Sequence, residues 1–417
     1  MSGYSIPHTS VGRQSEETQQ IVAHCATPFL TQTGAWIHQQ IAQLRRWRPI
    51  VFTQEAANQA QFPVETLIDA GQWPIPRRLV NRVVRRWSGE YPFYGDLMRQ
   101  RGVRLIHAHF GYQGCRCLRA QRQTGLPLIT TFYGADATSF ARQPHWRRRY
   151  VELFERGALF LVEGSAMGRQ LVELGCPEDR IRVQHLGVDT SRIEFTPRQP
   201  SAHPHILMCG SFREKKGFDD GLRAIGRALA RLDDSRLGVS GPQVQITLVG
   251  EGPERPQIEA AIQDSGLEGR VRMPGMLPYQ QVIELLSKCD LLLQPSRIAA
   301  DGDSEGGAPV IMLDAQAAGV PVVATRHADI PEYVVDGVSG LLADERDVEG
   351  LSLQIEALLR EPERWAAMGR AGRDHVESDY DAGKQCLRLE EIYDAVAAGR
   401  EVGKTSLARE SSGPANS

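Results

Sequence analysis

The sequence predicts an α/β protein of two doubly wound parallel-sheet domains, and three observations carry that prediction. Short apolar, β-rich runs alternate with longer amphipathic segments, which is the signature of βαβ units. The alternation forms two series, separated by a polar, proline-rich stretch, TPRQPSAHP (196–204). The chain has 417 residues and 41% apolar content, room for two or three packed cores at about 150 residues per domain.

In the first series the expected strands are PIVFTQ (49–54), RLIHAH (104–109), LPLITTF (126–132) and ALFLVE (158–163). In the second they are HILMCG (205–210), VQITLVG (244–250), DLLLQPS (290–296) and VPVVAT (320–325). Amphipathic segments such as FDDGLRAIGRALARL and VIELLSKC lie between them. No repeat of 20–50 residues is evident. The first 20 residues and the tail EVGKTSLARESSGPANS (401–417) are polar and read as disordered. The N-terminus lacks a basic segment followed by an apolar core, so it does not read as a signal peptide. No apolar run approaches the roughly 18 residues of a membrane span. The seven cysteines form no CxxC pair and are odd in number, a pattern of reduced thiols in a cytosolic protein rather than of disulfides or zinc.

Net charge is −3, but it is split. Residues 1–200 hold 25 Arg, no Lys and 16 acids, a surplus of nine positive charges. The remainder holds 23 bases and 35 acids, a surplus of twelve negative charges. The basic half could meet a membrane surface, a nucleic acid or an anionic substrate.

Ligands of doubly wound sheets sit outside the carboxyl ends of the strands. Two stretches fall there. DGDSEGGAPVIMLDAQAAG (301–319) follows the strand DLLLQPS, and a helix is expected from about Pro309, with Gly319 as its stop. Gly306, Gly307 and Ala308 would offer backbone N–H groups to a diphosphate at that helix start. Glu305 and Asp314 would repel phosphate but accept hydrogen bonds from vicinal hydroxyls, so the pair fits a nucleotide sugar. On spacing alone, an acidic loop on a solvated face stands equally open. CGSFREKKGFDDGL (209–222) places Arg213, Lys215 and Lys216 against Gly217, where cations could neutralise a leaving diphosphate. Alone, that cluster is more often a solvated turn.

Together these stretches carry a resemblance. GSFREKKG, LVGEGP (248–253), MPGMLPYQQVIELLSKCDLLLQPS (273–296), the acidic loop and GVPVVATRHADIPEYVVDGVSGLL (319–342) occur in order over about 170 residues. The second half thus resembles the nucleotide-sugar domain of retaining glycosyltransferases of family 4, which have the GT-B fold. EGSAMGRQLVELG (163–175) and HLGVDTSRI (185–193) also match, and TQTGAWIHQQI (31–41), HAHFG (107–111) and TFYGAD (131–136) match more loosely. Bacterial exopolysaccharide glycosyltransferases of the colanic acid or amylovoran type look nearest.

The resemblance implies two Rossmann-like domains facing across a cleft. Residues 21–196 would bind the acceptor and 203–382 the nucleotide sugar, with a C-terminal helix at about 383–399 packing back on the first domain. It places the family's acidic pair on Glu305 and Asp314, the first contacting donor sugar hydroxyls and the second the ribose. Lys216 takes the place of the diphosphate lysine, and Gly34 lies in the glycine loop facing the diphosphate. His109, Tyr133, Gly134 and Asp136 fall on the acceptor side. Three departures stand out. Eight residues rather than seven separate the acids, and the second is Asp rather than Glu. Ser211 replaces the family's arginine, a charge Arg213 could supply at the donor site. Tyr133 stands where many relatives carry His, and a phenol titrating near pH 10 is no neutral-pH base.

The expected reaction is transfer of a hexosyl unit, with retention, from a nucleoside-diphosphate sugar to an acceptor hydroxyl, on a lipid-linked saccharide in exopolysaccharide or capsule synthesis. No metal or further cofactor is expected. DGD (301–303) mimics a DxD metal motif, but basic residues are expected to neutralise the diphosphate. GEGPER (250–255) lacks the third glycine of a dinucleotide fingerprint. His107 and His109 share one strand face; a zinc pair lacks an evident third ligand, and a packed or acceptor-side pair is the commoner arrangement. Two rival functions are a sugar-nucleotide epimerase of the same fold and an Arg-rich nucleic-acid binder. The acidic loop weighs against the first. The second lacks aromatic-basic interleaving, so no nucleic-acid partner is expected.

The stretch 72–101 carries Arg77, Arg78, Arg82, Arg85 and Arg86 beside Leu79, Val83, Val84 and Trp87, and HWRRRY (145–150) adds a second basic cluster. Two readings stay open: a solvated helix packing its apolar edge on the core, or a peripheral contact with anionic lipid. The expected location is cytoplasmic, peripheral at the inner face of the cell membrane.

Overall fold

A computed structural model describes residues 19–29, 35–59, 62–233, 242–403 and 407. Gly34, expected in the glycine loop, lies outside the described residues. Two all-parallel sheets, each flanked by helices, build the molecule. The first contains β1 (Gln20–Cys25), β2 (Trp47–Thr53), β3 (Leu67–Asp69), β4 (Val103–His109), β5 (Leu128–Thr131), β6 (Leu159–Val162) and β7 (Ile181–Val183). The second contains β8 (His205–Cys209), β9 (Gln245–Val249), β10 (Val271–Gly275), β11 (Leu291–Gln294), β12 (Val322–Thr325) and β13 (Gly340–Ala343).

Their orders are β3-β2-β1-β4-β5-β6-β7 and β10-β9-β8-β11-β12-β13. In each sheet the chain starts at the centre, winds out to one edge, then crosses back to build the other half. The reversal opens a crevice at the carboxyl ends of β1 and β4 in one domain and of β8 and β11 in the other. The loops holding Lys216 and Glu305 leave β8 and β11, so both motifs flank one crevice. His109 ends β4, on the facing crevice.

Five strands were not expected from the sequence, each for a local reason. β3 and β7 have three residues, too few to show a period. β10 contains a proline and is only half-buried at a sheet edge. β13 is a four-residue run between glycine and acid, and β1 carries a histidine and follows a polar lead-in. The strands that were expected are buried on both faces and read as continuous apolar runs.

The link between the domains is pinned rather than loose. The buried Arg198 donates to the carbonyls of Leu286, Ser287 and Ala318, at 2.9, 2.9 and 3.0 Å. The chain crosses back near Tyr380, where the Val188 and Ala382 N–H groups bond the facing carbonyls. The final helix, Ala382–Ala397, then lies on the first domain. Its buried Glu390 accepts the backbone N–H groups of Arg45, Arg46 and Trp47, and Asp394 accepts the Trp47 indole N–H at 2.8 Å.

The basic segment forms a helix over Ile75–Ser88, ended by Gly89 at φ 70°. It does not pack its apolar edge on the core. The residue it buries is Asn81, which donates to Gln54. Ile75, Leu79, Val83 and Trp87, spaced four apart, point outward with exposures of 64, 54, 62 and 94%. Among the described residues no helix is long and apolar enough to cross a membrane.

Candidate active site

Lys216 ends a short 3₁₀ turn, Glu214–Lys216, that Gly217 closes at φ 61°. A side chain at 217 would strike the Pro295 carbonyl, so this glycine lets the lysine loop lie against the end of β11. Lys216 Nζ reaches Glu305 Oε2 at 2.8 Å, and Ser296 donates to Glu305 Oε1 at 2.7 Å. Burial would raise the Glu305 carboxyl, but the Lys216 and Lys215 charges and the two hydrogen bonds outweigh it and hold the group below its ordinary value. Glu305 is therefore ionised and paired in the folded chain.

The rest of the acidic loop is held by Lys215, expected at the diphosphate, and by His327, which the sequence did not single out. Lys215 binds Asp303 at 3.2 Å and the Ser304 carbonyl at 2.9 Å. His327 Nε2 accepts the Glu305 N–H at 3.2 Å, so its Nδ1 carries the proton that meets Glu345 at 2.6 Å. Asp301 accepts the Asp303 N–H. Arg213 is exposed at the lip of the loop, and Ser211 is half-buried behind it.

The helix after this loop begins at Ile311 rather than near Pro309 and has seven residues. Pro309 and Val310 make a turn first, with the Met312 N–H bonding the Pro309 carbonyl. Gly306, Gly307 and Ala308 thus lie in the loop, not in the first helical turn. The Ala308 N–H bonds the Glu163 carboxylate of the first domain. Asp314 is buried in the helix and accepts from the Tyr279 hydroxyl at 2.9 Å. Burial raises its carboxyl to about 7, against the lowering effect of that hydrogen bond.

The two domains meet at this loop. Gly134 and Gly306 have φ of 150° and 81°. A Cβ on Gly134 would come within 2.5 Å of the Glu305 carbonyl, and one on Gly306 within 2.1 Å of the Gly134 Cα. Asp136 is buried, and its two oxygens accept the N–H groups of Gly111, Tyr133 and Gly134 at 2.8, 3.1 and 3.0 Å. It shapes the glycine turn, with both oxygens committed to backbone. Nearby, Asp329 and Glu332 of the second domain accept the first N–H groups of the helix Ser165–Glu173. Burial, then Glu332, pushes Asp329 to about 7. Burial, with Asp329 and Asp136 close by, pushes Glu163 well above the carboxylate range.

Behind Gly134 lies a buried histidine network. His109 Nδ1 is 2.7 Å from the Tyr133 hydroxyl, and its Nε2 is 2.9 Å from His24 Nδ1. His107 binds Tyr393 at 2.5 Å and Thr131 at 2.7 Å. Burial takes His109 down to about 3 and lowers His24 and His107 too, so all three rings are neutral. Burial raises the Tyr133 phenol further, so it stays protonated. The fold supplies the third histidine that the sequence did not show. Ligand atoms of His24, His107 and His109 lie within 4.8 Å of one another, with hydrogen bonds already engaging both nitrogens of His107 and His109.

Comparison with known proteins shows the family and the fold. Residues 189–375 match the family of glycosyl transferases group 1, and residues 35–192 match glycosyltransferase family 4. The chain is 30% identical over 296 residues to the amylovoran biosynthesis glycosyltransferase AmsK of Erwinia amylovora, covering 70% of each chain. It is 32% identical over 279 residues to WcaL of Escherichia coli (strain K12), named as a colanic acid biosynthesis glycosyltransferase, covering 66% of each. Among solved structures, Anabaena Alr3699/HepE in complex with UDP and glucose superposes with a TM-score of 0.70 at 18% identity, over 90% of this chain and 100% of that one. That similarity establishes a shared two-domain fold.

Proposed function

The chain belongs to the glycosyltransferases of group 1 and family 4 and is an enzyme of that class, and on that premise we propose its reaction. It moves a hexosyl unit, with retention, from a nucleoside-diphosphate sugar to a hydroxyl of a lipid-linked saccharide during exopolysaccharide synthesis. The observation that carries the reading is the Lys216–Glu305 pair at 2.8 Å, set at the second crevice directly against Gly134 of the first domain. Its relatives AmsK and WcaL, named for two exopolysaccharides, support the pathway.

In the free enzyme Glu305 neutralises Lys216. An entering diphosphate competes for that ammonium. Lys216 then turns its charge toward the leaving phosphates, and the released Glu305 oxygen accepts from donor sugar hydroxyls. Ser296 holds the other oxygen and keeps the carboxylate in place. Arg213, exposed at the lip, adds a second cation to the leaving group. Asp314 receives the ribose hydroxyls. No carboxylate faces Gly134 as an unpaired nucleophile among the described residues, which favours front-face attack with the departing phosphate taking the acceptor proton. Closure of the domains over the donor excludes water and suppresses its hydrolysis.

The test is a transfer assay with purified enzyme, first screened across UDP-, GDP-, dTDP- and ADP-sugars. Lys216→Ala and Glu305→Gln should each cost on the order of 10² to 10³ in rate while the protein stays folded at assay temperature, with a lowered melting temperature from the broken buried pair. Near wild-type transfer by Lys216→Ala would remove the lysine from the mechanism.

A further inference from the structure

We propose that a cationic recess on the outer face of the first domain seats the diphosphate of a lipid-carried acceptor. The fold brings together two basic segments that lie about sixty residues apart. The helix Ile75–Ser88 contributes Arg82, Arg85 and Arg86, and the helix Pro144–Arg156 contributes His145 and Arg149. Arg116, from the helix Gly111–Thr124, lies between them. The recess encloses about 570 Å³, and Trp87 and Trp146 stand on its walls.

Three features set this recess apart from an ordinary basic surface. First, among the described residues no carboxylate lines it. The nearby acids Glu90 and Glu152 are both occupied by Arg122, at 2.8 and 2.7 Å. The charge of the recess is therefore uncompensated, a costly arrangement unless an anion completes it. Second, the guanidinium groups are positioned by neutral partners. Arg149 donates to the carbonyls of Ser88 and Cys115, Arg85 donates to Gln54, and Arg116 lies over the rings of Tyr112 and Trp146. Gly89 makes the space: a Cβ there would fall 1.8 Å from Arg149 Nη1. Third, the recess adjoins the exposed row Ile75, Leu79, Val83 and Trp87, an apolar stripe suited to the acyl boundary of a bilayer. Phosphate at the recess and hydrocarbon at the stripe match the two parts of a prenyl diphosphate.

The recess also leads to the reaction centre. Trp146 contacts Tyr112 at 6.1 Å between ring centroids, Tyr112 stacks on Phe110 at 5.4 Å, and Phe110 meets Tyr133 at 5.0 Å. Tyr133 adjoins Gly134, which touches Glu305. The half-buried rings of Trp146, Tyr112 and Phe110, ending on the buried Tyr133, make a path of sugar-facing edges, so the saccharide would run from the anchored diphosphate to the transferring centre. The inference rests on the reading of a lipid-linked acceptor.

The test uses the full chain with geranylgeranyl diphosphate in phosphatidylcholine vesicles, with geranylgeraniol and phosphatidylglycerol vesicles as comparisons. The diphosphate should recruit the protein and the alcohol should not. Arg116→Gln should weaken recruitment about fivefold and the pair Arg86→Gln with Arg116→Gln about thirtyfold, at about 1 kcal/mol per arginine. Arg116→Lys should restore most of the loss. Arg116, being recessed, should leave binding to phosphatidylglycerol unchanged. Two results overturn the assignment: equal recruitment of wild type and Arg116→Gln, or equal recruitment by phosphatidylglycerol and the diphosphate at matched charge. Donor binding across the sugar-nucleotide panel is followed in parallel. Its absence in wild type speaks against the glycosyltransferase reaction, whereas its persistence in the variants isolates a failure to the recess.

Discussion

Asp314 is the residue on which pH acts most directly. Its carboxyl is buried, with one hydrogen bond from Tyr279, and burial lifts it to about 7. Because the folded value exceeds the unfolded one, the native state keeps a proton that the unfolded chain loses. Stability then falls as pH rises from the unfolded carboxyl value toward 7, the opposite of a salt-bridged carboxylate. Asp314→Asn should lessen that fall, to which Asp329 and Glu163 also contribute, seen as a flatter plot of melting temperature against pH. Donor binding should move the other way, since ribose hydroxyls need the ionised form as acceptor. The donor KM of wild type should drop as pH passes 7, and that of Asp314→Asn should not. A parallel drop in both proteins would dissociate Asp314 from the ribose. Metal belongs to the same scale. Asp303 is taken by Lys215 at 3.2 Å, so the mechanism gives charge neutralisation to protein cations. Transfer should survive EDTA; loss with EDTA and rescue by Mg²⁺ or Mn²⁺ would make Asp301 and Asp303 ligands instead.

Among the elements, the helix Ile75–Ser88 has the least ordinary placement. It turns five large apolar side chains, Val80 among them, to solvent and buries an asparagine, the reverse of a core-packed helix. Arginines flank that apolar row on both sides. We propose that this helix rests in a membrane interface, with apolar burial and attraction to anionic lipid acting together. The enzyme should sediment with phosphatidylglycerol vesicles at low salt. Changing Arg78, Arg82, Arg85 and Arg86 to Gln should release it without altering donor binding. If wild type and this variant partition alike, the contact is not electrostatic. The periodicity of this helix was legible in the sequence, but its direction was not. Arginines and apolar residues share one face at 3.6 residues per turn, and that overlap leaves open which side meets the core.

At the scale of the whole molecule, the site is a contact between two crevices. Gly134 and Gly306 let the facing loops touch, and Asp329 and Glu332 of one domain cap a helix of the other. Gly134→Ala places a methyl within 2.5 Å of the Glu305 carbonyl, at a backbone angle that alanine resists. It should hold the domains apart, enlarge the radius of gyration in solution scattering and lower transfer on the order of 10²-fold, as misplacement of reacting groups by about 1 Å can do. Unchanged scattering and rate would show that the contact is not needed for reaction.

The sequence by itself determined the two-domain α/β architecture, because buried parallel strands must be apolar runs and their crossovers must be amphipathic. It also placed Lys216 and Glu305 at strand ends, since glycine-rich turns and charged clusters after such runs are local patterns. Tertiary structure alone decided which partners complete them. Ser296 and His327 lie inside matching stretches but gave no sign that they hold the acidic loop, and His24 joins His107 and His109 because β1 and β4 are neighbours in the sheet. Tyr279 reaches Asp314 across 35 residues, and Glu163 reaches Ala308 from the other domain. Local pattern reports what a segment can form. Burial, charge pairing and the orientation of an amphipathic face depend on what the fold brings against it.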